Sequence, residues 1–316
     1  MYYNLMKQHG KVCINMAIIT LKTLVKEYYL CFEYKSLRLE TKQHYTYLLN
    51  RLLNTKLPNS DKRLGDTPIN NITTLVAKHA YDYWCNRGVH FANHIMSVSR
   101  IVYNYAVNME KIKQNPFSSV KKRKPESRKT VWTKQNVKDF LDVAYSDFKT
   151  RNVGIIAHMA YDWCQRLGDM RLLQWSSLNL EQSQVHIEQS KRRAEVFLPI
   201  NESLREMLIQ QKEDFGFQEY VAPQIRPIRG SYKPYSLHRL PKVAKKIMQK
   251  ANLPNDLRLS DLRRTGTVEM VDAGVSMGNI MSVTGHSNPQ SVKPYMKNTL
   301  TSANLALDKR KQLTDV

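Results

Sequence analysis

Long apolar runs and paired cysteines are both missing from this sequence. No stretch approaches the roughly 18 consecutive apolar residues that a membrane-spanning helix needs. Near the N-terminus, a short apolar run passes directly into charged, amphipathic sequence without a small-residue cleavage site, which argues against a secretory signal peptide. We therefore expect no membrane partner and a cytoplasmic location.

The cysteines are few and isolated. Cys13, Cys31, Cys85 and Cys164 form no CxxC pair, and no histidine stands at the spacing of a zinc site. Scattered thiols in a basic protein are typical of a reducing compartment and argue against disulfides. The sequence therefore predicts neither a metal ion nor a disulfide framework.

Acidic residues are scarce relative to basic ones. The chain has 49 Lys and Arg residues against 27 Asp and Glu residues, which leaves a net charge of +22. A surplus of this size favours a polyanionic partner, because each phosphate that is neutralised releases counterions. Nucleic acid is the favoured partner, although ribosomal and membrane-surface proteins are also basic.

Residues 17–114 are predicted to form a helical domain, because apolar side chains recur at helical spacing in four segments. These stripes are Leu21, Leu24, Val25 and Tyr28; Tyr45, Leu48, Leu49 and Leu52; Val76, Ala80 and Trp84; and Ile95, Val98, Val102, Tyr105 and Met109. Short loops are expected to join the four helices into a bundle. Gly88 is expected to end the third helix, and no internal repeat is present.

A basic segment, residues 115–130, is predicted to link two domains. Asn115-Pro116 is expected to end the fourth helix, since proline disfavours helical geometry in the residue before it. One interpretation of the segment is a solvated linker, and the other is a hinge that lies across a DNA backbone. The candidate phosphate-binding residues of this hinge are Lys121, Lys122, Arg123 and Lys124.

Residues 131–300 are predicted to form a second domain of mixed α and β structure. Its first helix carries an apolar stripe that Thr133 is placed to cap, and a second helix is expected over residues 153–164. Residues 184–189 and 195–200 alternate apolar with polar side chains, as the two strands of a hairpin do. The chain from Asn201 onward is expected to be mainly helical.

Four segments of this second domain carry candidate catalytic residues. They are Gln165–Asp169, expected to precede a helix with Leu172, Leu173 and Trp175; the basic turn at Lys191; Arg258–Gly266; and Val283–His286 with Tyr295 nine residues past the histidine. Taken singly, each has an ordinary explanation: a helical ion pair, a solvated charge, a packed tyrosine, or a histidine at a helix end. Their order and spacing together favour a shared function.

In that order, the segments resemble the catalytic domain of the tyrosine recombinase family, also called the phage integrase family. The family carries an arginine with an acid three residues later, a hairpin lysine, a His-x-x-Arg box, Gly-His and then a tyrosine. The residues that match are Arg166 with Asp169, Lys191, Arg263, Gly285-His286 and Tyr295. More loosely, Ala92–Pro116 resembles the last helix of the family's core-binding domain.

The resemblance implies a fold that is mainly α-helical. An N-terminal four-helix core-binding domain is expected to precede a catalytic domain that contains a small antiparallel sheet. It also implies catalysis without a metal ion or any other cofactor. Tyr295 is the implied nucleophile, which forms a 3′-phosphotyrosyl link to DNA, and nearby cations favour the phenolate form of a tyrosine.

The other matching residues receive roles from the same resemblance. Arg166 and Arg263 are planar, permanently charged groups that suit a phosphate and stabilise its developing charge. Lys191 is the implied donor of a proton to the leaving 5′ oxygen. His286 is implied to contact the scissile phosphate or to assist proton transfer, and Asp169 to buttress the site.

The sequence departs from the family pattern at Ser260, where the family has the histidine of its His-x-x-Arg box. A serine donates a hydrogen bond but carries no positive charge, so impaired cleavage is one expectation. His238, further upstream, is a candidate to fill the space. In the basic turn, Arg192 and Arg193 are alternatives to Lys191, which is preferred because lysine gives up a proton more readily.

The resemblance also implies partners. Double-stranded DNA in a bacterial host is the expected substrate, with free monomers that assemble into a tetramer on DNA and with accessory DNA-bending or directionality factors. The tail, residues 301–316, carries Leu305, Leu307 and Leu313 and either docks on a neighbouring protomer or packs on its own domain. Residues 1–16 are expected to form a short extension, too short for a further folded domain.

The sequence leaves two alternative functions open. A type IB topoisomerase shares the same chemistry but acts as a monomer, and the succession of helical domain, basic linker and catalytic domain favours the recombinase. A non-catalytic DNA-binding relative is the second alternative, and Ser260 is the residue that favours it.

Overall fold

The computed structural model describes residues 18–57, 60–191, 193–296 and 300–314. The chain divides into two compact units, Met1–Ser127 and Arg128–Val316. The expected N-terminal extension, residues 1–16, and the alternative Arg192 both lie outside the described residues. Within the described ranges, every helix is too short or too polar to cross a lipid bilayer.

The first unit is a set of helices packed around one apolar core. The helices are α1 (Leu21–Leu30), α2 (Phe32–Lys35), α3 (Leu39–Leu53), α4 (Thr74–Cys85) and α5 (Val89–Asn108). Each of the four predicted stripes falls on one of the four longer helices, and most of its members are buried. This is the expected result of a 3.6-residue period, which places one apolar face against the core.

Three details of this unit differ from expectation. The connection between α3 and α4 is not a short loop, because it runs from Asn54 to Thr73 and contains two 3-10 turns. Helix α5 ends at Asn108, well before Asn115-Pro116, and Glu110 then adopts a left-handed conformation with φ of 55°. Gly88, with φ of 130°, precedes α5 instead of ending α4.

The residues after α5 fold back onto the first unit. The Asn115 side chain donates a 3.0 Å hydrogen bond to the carbonyl of Arg100, and Phe117 and Val120 are buried in the core. The Arg100 guanidinium donates to the carbonyls of Phe117 and Val120 at 2.9 and 2.6 Å. The first part of the segment predicted as a linker therefore belongs to this unit.

The second unit combines helices with a three-stranded antiparallel sheet. Its elements are α6 (Lys134–Tyr145), α7 (Phe148–Asp162), α8 (Leu167–Met170), β1 (Leu178–Asn179), β2 (Gln184–Glu188), β3 (Glu195–Pro199), α9 (Glu202–Phe215), α10 (Arg239–Lys250), α11 (Leu262–Asp272), α12 (Met277–Thr284) and α13 (Leu300–Thr314). In the β2–β3 hairpin, Val185 pairs with Leu198 and Ile187 with Val196, which buries all four side chains on one face. The predicted fold class is confirmed.

Two helices of this unit differ from their predicted extents. Helix α7 begins at Phe148, earlier than expected, and every residue from Arg151 to Ala160 is buried. Helix α8 ends at Met170, so the helix predicted through Leu172, Leu173 and Trp175 is wrong. The backbone there pairs instead with a distant segment: Val221 N donates to Leu173 O at 2.9 Å, and Trp175 N donates to Glu219 O at 3.1 Å.

The tail forms helix α13, which lies beside α11 within the same chain. The side chain of Leu305 occupies the space that a Cβ atom on Gly274 would need. Leu307 is exposed, and the side chain of Leu313 lies outside the described residues. In this single chain, the tail therefore packs on its own unit.

Candidate active site

Arg166 stands directly after a tight turn that follows α7. Cys164 adopts a left-handed conformation with φ of 51°, which redirects the chain toward α8. Arg166 Nη1 donates a 2.6 Å hydrogen bond to Gln189 Oε1 and lies 3.8 Å from Asp169 Oδ2. The Arg166 side chain is 25% exposed, so it is anchored from inside the protein while part of it faces solvent.

Asp169 joins α8 to the β2–β3 hairpin. Its carboxylate is buried, and Oδ1 accepts hydrogen bonds from Ser190 Oγ at 2.5 Å and from Ser190 N at 3.3 Å. Among the described residues, Oδ2 has no hydrogen-bond partner. Because Ser190 immediately precedes Lys191, these contacts fix the base of the turn that carries the predicted proton donor.

Lys191 is exposed at the tip of the β2–β3 turn. Two backbone bonds close this turn, from Gln189 N to Ala194 O at 2.9 Å and from Arg193 N to Gln189 O at 2.8 Å. Within the described atoms, no hydrogen bond or ion pair joins Lys191 to the other predicted site residues. The hairpin nevertheless holds it close to them, since Gln189, two residues earlier, is bonded to Arg166.

Arg263 lies in the first turn of α11 and is only 8% exposed. Its Nη2 donates to Thr284 O at 2.7 Å and contacts His286 Nε2 at 3.2 Å, whereas Nη1 is buried without a partner among the described residues. Burial and then the like charge of Arg166 lower the pKa of Arg263 to about 10, so the group stays cationic at neutral pH. A buried cation with an unused donor is suited to an anionic ligand.

His286 follows Gly285, which ends α12 in a left-handed conformation with φ of 67°. Thr284 Oγ1 donates its single hydroxyl hydrogen to Ile280 O at 2.7 Å and also lies 2.7 Å from His286 Nδ1. The imidazole must then donate from Nδ1 to Thr284 Oγ1. This tautomer leaves Nε2 as the acceptor toward Arg263 Nη2.

Tyr295 ends a 3-10 turn and is partly buried. The centroid of its ring lies 6.1 Å from that of His286, at an interplanar angle of 44°. The guanidinium carbon of Arg264 lies over the same ring, 5.1 Å from the centroid. The structure therefore brings Arg166, Arg263, His286 and Tyr295 into one cluster.

Ser260 is exposed and lies outside this hydrogen-bonded cluster. It lines a cavity of about 400 Å³ together with Leu167, Lys245 and Leu259. His238 stands at the start of α10, is exposed, and is not among the described residues that line this cavity. The lining of this cavity therefore gives no support to the alternative in which His238 fills the space at Ser260.

The four basic residues of the predicted linker are exposed on the first unit. Lys122 Nζ donates to Ser97 Oγ, and the Arg123 guanidinium pairs with Asp82 at 2.9 Å. The backbone N of Arg123 also donates to the hydroxyl of Tyr81 at 2.6 Å. Lys121 and Lys124 complete this basic surface. Its backbone is thus held by the first unit at least as far as Arg123.

Three residues at the centre of the cluster were not predicted. Gln165, Gln189 and Thr284 are each 0% exposed, and all three hydrogen-bond to groups that carry or flank the predicted site residues. Glutamine and threonine are common residue types, and no periodicity marks these positions. Only the proximity of three separate loops reveals them.

The cluster is chemically suited to a phosphate group. Two guanidinium groups supply positive charge and hydrogen-bond donors, and the rings of His286 and Tyr295 lie beside them. In the part of the chain that the structure describes, no three His, Cys, Asp or Glu side chains lie together in a way that could hold a metal ion.

Most of the second unit matches the model of a known protein family. The model of the phage integrase family matches residues 130–301, more than half of the chain. The matched region begins near the start of the second unit and includes every residue of the cluster. Among curated proteins, no sequence matches the chain significantly.

Solved structures share the fold at low sequence identity. A lambda integrase dimer bound to a COC′ core site is 18% identical with a TM-score of 0.72, covering 89% of this chain and 78% of that one. A lambda integrase tetramer bound to a Holliday junction is 17% identical, with a TM-score of 0.73 and coverages of 90% and 79%. The Tn1549 transposon integrase in complex with a circular intermediate DNA is 15% identical, with a TM-score of 0.73 and coverages of 92% and 99%.

Proposed function

Because the chain belongs to the phage integrase family of tyrosine recombinases, we propose that it is a site-specific DNA recombinase that uses Tyr295 as its nucleophile. The reaction is the integration or excision of a phage or another mobile element in a bacterial host. The observation that carries the proposal is the convergence of Arg166, Arg263 and His286 beside the Tyr295 ring.

The two arginines bind the scissile phosphate. Attack on a phosphodiester builds negative charge on its non-bridging oxygens, and preorganised guanidinium groups stabilise that charge. Arg263 Nη1, buried without a partner in the described residues, gains an acceptor when the phosphate arrives. The anion also relieves the repulsion between Arg263 and Arg166.

The chemical step exchanges one phosphodiester bond for another. The Tyr295 oxygen forms a bond to phosphorus, while the bond from phosphorus to the 5′ oxygen breaks. Lys191 donates a proton to that leaving oxygen from the hairpin turn. The 3′-phosphotyrosyl link retains the bond energy, so a 5′ hydroxyl from a second strand religates the DNA by the reverse steps.

His286 acts in the reaction through its Nε2 atom. Thr284 holds the Nδ1 proton, so Nε2 faces Arg263 and the phosphate-binding region. As an acceptor, Nε2 takes the proton from the Tyr295 hydroxyl while that oxygen attacks phosphorus, and the resulting N–H can then donate to the phosphate. Asp169 acts at a distance from DNA by fixing Ser190 at the base of the Lys191 turn.

The DNA substrate is double-stranded. The lambda and Tn1549 integrases with this fold were solved on DNA, one of them as a tetramer on a Holliday junction. We extend this to a tetramer of the present chain on two DNA sites. Lys121, Lys122, Arg123 and Lys124 supply phosphate contacts that position the duplex without reading its sequence.

Covalent capture tests the proposed function. The full chain is incubated with a library of nicked DNA duplexes whose central region is randomised, and protein–DNA complexes that survive denaturation are sequenced. The nick lets the cut fragment diffuse away, which traps the phosphotyrosyl link. We expect captured DNA with a shared core sequence from the wild-type chain and none from Tyr295→Phe. No capture by the wild-type chain would overturn the proposal.

A second candidate is a DNA-binding relative without cleavage activity. Ser260, exposed at the edge of a cavity where the family has a histidine, is the observation that favours it. This candidate predicts retained DNA binding with no covalent capture. A two-site recombination assay on the captured sequence then separates a recombinase from an enzyme that only relaxes supercoils.

A further inference from the structure

Two buried glutamines connect the three loops that carry Arg166, Lys191 and His286. Gln165 directly precedes Arg166, and Gln189 directly follows strand β2, two residues before Lys191. Both side chains are 0% exposed. Neither belongs to the set of residues on which the proposed function rests. We call these two residues the glutamine pair.

Gln189 uses both ends of its side-chain amide. Its Oε1 accepts from Arg166 Nη1 at 2.6 Å, while its Nε2 donates to Gln165 Oε1 at 2.7 Å and to Thr284 O at 2.8 Å. Gln165 Nε2 in turn donates to Val283 O at 2.7 Å. One amide thus joins the loop of Arg166, the hairpin and the end of α12.

The carbonyl of Thr284 connects Gln189 with Arg263. It accepts from Gln189 Nε2 at 2.8 Å and from Arg263 Nη2 at 2.7 Å. Arg166 is therefore connected to Arg263 through a single amide and a single carbonyl. Two cations that repel each other are held at a defined separation by neutral groups, which add no charge that would compete with a phosphate.

The close approach of Gln189 also depends on Gly285. A Cβ atom at position 285 would overlap the Gln189 side-chain amide. The glycine that ends α12 thus leaves the space that the amide fills. Burial of an amide in such a space is favourable only when its hydrogen bonds are made, and here the two donors and the acceptor of Gln189 are all used.

We propose that Gln189, supported by Gln165, is a positioning residue for strand cleavage. It fixes the guanidinium of Arg166 relative to that of Arg263, and it ties the hairpin of Lys191 to the Gly285-His286 turn. It acts through these groups and does not touch DNA. The inference rests on the proposed function, because positioning is defined relative to the phosphate that the arginines bind.

The primary test compares single-turnover cleavage by the wild-type chain and by Gln189→Met. The probe is a nicked duplex of the captured core sequence, and protein is in excess. Methionine has a similar length but makes none of the three hydrogen bonds. We expect the cleavage rate to fall by roughly 100-fold, the effect of misplacing a reacting group by about 1 Å. DNA affinity should stay within about threefold, since phosphate contacts to basic residues dominate affinity.

Gln211 provides a matched control within the same unit. It is also 0% exposed, and its Nε2 donates to Asn152 Oδ1 at 3.0 Å and to Val221 O at 2.9 Å, neither of them a site residue. Gln211→Met removes a buried amide of the same size and lowers stability by a similar mechanism. Its cleavage rate, measured well below the unfolding temperature, is expected to equal that of the wild-type chain.

Gln189→Glu adds a pH readout that general loss of stability does not produce. The carboxylate still accepts from Arg166 but has no donor for Thr284 O or Gln165 Oε1. Protonation restores one donor. We expect the ratio of the variant's cleavage rate to the wild-type rate to rise as the pH falls. If Gln189→Met does not fold, this variant and Gln165→Met test the same inference.

The outcomes separate the inference from the proposed function. Wild-type cleavage together with an unchanged rate in Gln189→Met overturns the positioning role and leaves the recombinase function standing. Equal losses in Gln189→Met and Gln211→Met likewise overturn it, because the effect then reflects stability alone. A wild-type chain that forms no covalent complex overturns the proposed function instead.

Discussion

The guanidinium of Arg264 lies over the ring of Tyr295, with its central carbon 5.1 Å from the ring centroid. Arg264 directly follows Arg263, so consecutive residues of α11 serve different parts of the cluster: one faces Thr284 and His286, and the other faces the proposed nucleophile. A cation over an aromatic face attracts the ring and favours negative charge on its oxygen.

Replacing Arg264 should slow cleavage modestly. A contact of this kind contributes about 0.5–1 kcal/mol when it is partly exposed, which corresponds to about a two- to fivefold change in rate. We expect the cleavage rates to rank wild type, then Arg264→Lys, then Arg264→Gln, in single-turnover assays with saturating protein. A rate for Arg264→Gln equal to that of the wild type would show that the contact has no role in the reaction.

Replacing Arg263 should abolish cleavage without lowering stability. Its pKa is lowered to about 10, first by burial and then by Arg166, which corresponds to a cost on the order of 3 kcal/mol for keeping the group charged. The folded and unfolded chains are both protonated there at neutral pH, so the full cost is present. It disappears only as the pH rises above about 10, where the folded chain releases the proton first.

Arg263→Met removes this cost at neutral pH, and Thr284 O keeps its bond from Gln189. We therefore expect a Tm equal to or above that of the wild type, measured by calorimetry at pH 7. Arg151 is the matched control, because it is equally buried but paired with Asp214 at 2.6 Å. Arg151→Met removes this ion pair and the contact of the guanidinium with the Phe148 ring, so it should lower Tm. A fall in Tm for both variants would contradict the prediction.

Replacing two glycines of the α12 region with alanine should change the stability of the protein in opposite directions. Gly285 has φ of 67° and its missing Cβ makes room for Gln189, whereas Gly278 lies inside α12 with open space around it. Gly285→Ala should destabilise the protein by more than about 1–2 kcal/mol, the cost of left-handed geometry alone. Gly278→Ala should stabilise it by about 0.4–1 kcal/mol. Denaturant unfolding of both variants measures the change in the free energy of unfolding. Equal changes would contradict the left-handed, tightly packed conformation at Gly285.

Neutralising the basic surface should reduce the salt dependence of DNA binding. If Lys121, Lys122 and Lys124 each contact a phosphate, then replacing all three with glutamine lowers the slope of log K against log salt by about 3, at about 0.9 per contact. Lys134, Lys138 and Lys149, which are exposed on the second unit, form the control triple. Fluorescence anisotropy at several salt concentrations gives the slopes. An equal reduction by both triples would indicate an effect of net charge only.

The order of residue types along the chain allowed the proposed catalytic residues to be predicted. Arg166 and Arg263 are far apart in the sequence, yet they lie in one cluster with His286 and Tyr295. They can be named without a structure because their order and spacing resemble the motif of the tyrosine recombinase family. The apolar stripes similarly predicted the four longer helices of the first unit and α6 of the second, because a buried face imposes a 3.6-residue period.

Other features depend on pairing between distant segments, which local patterns do not record. Leu173 and Trp175 have helical spacing, but their backbone groups bond to residues 219–221. Helix α5 ends at Asn108, and beyond it the side chain of Asn115 bonds the carbonyl of Arg100. At Leu173 and Trp175, long-range hydrogen bonds outweigh a weak local preference.

By itself, the sequence determined the helical periodicity of this protein and its basic charge, because each follows from residue type and spacing, and its resemblance to a family identified the proposed phosphate-binding groups. Only the tertiary structure decided how those groups are held. Arg128 bonds Asp261 across 133 residues, and Gln189 joins Arg166 to Thr284 through an amide that no motif marks. Such contacts form because a buried donor or acceptor without a partner costs free energy, so chain segments that pass each other in a packed core pair most of these groups.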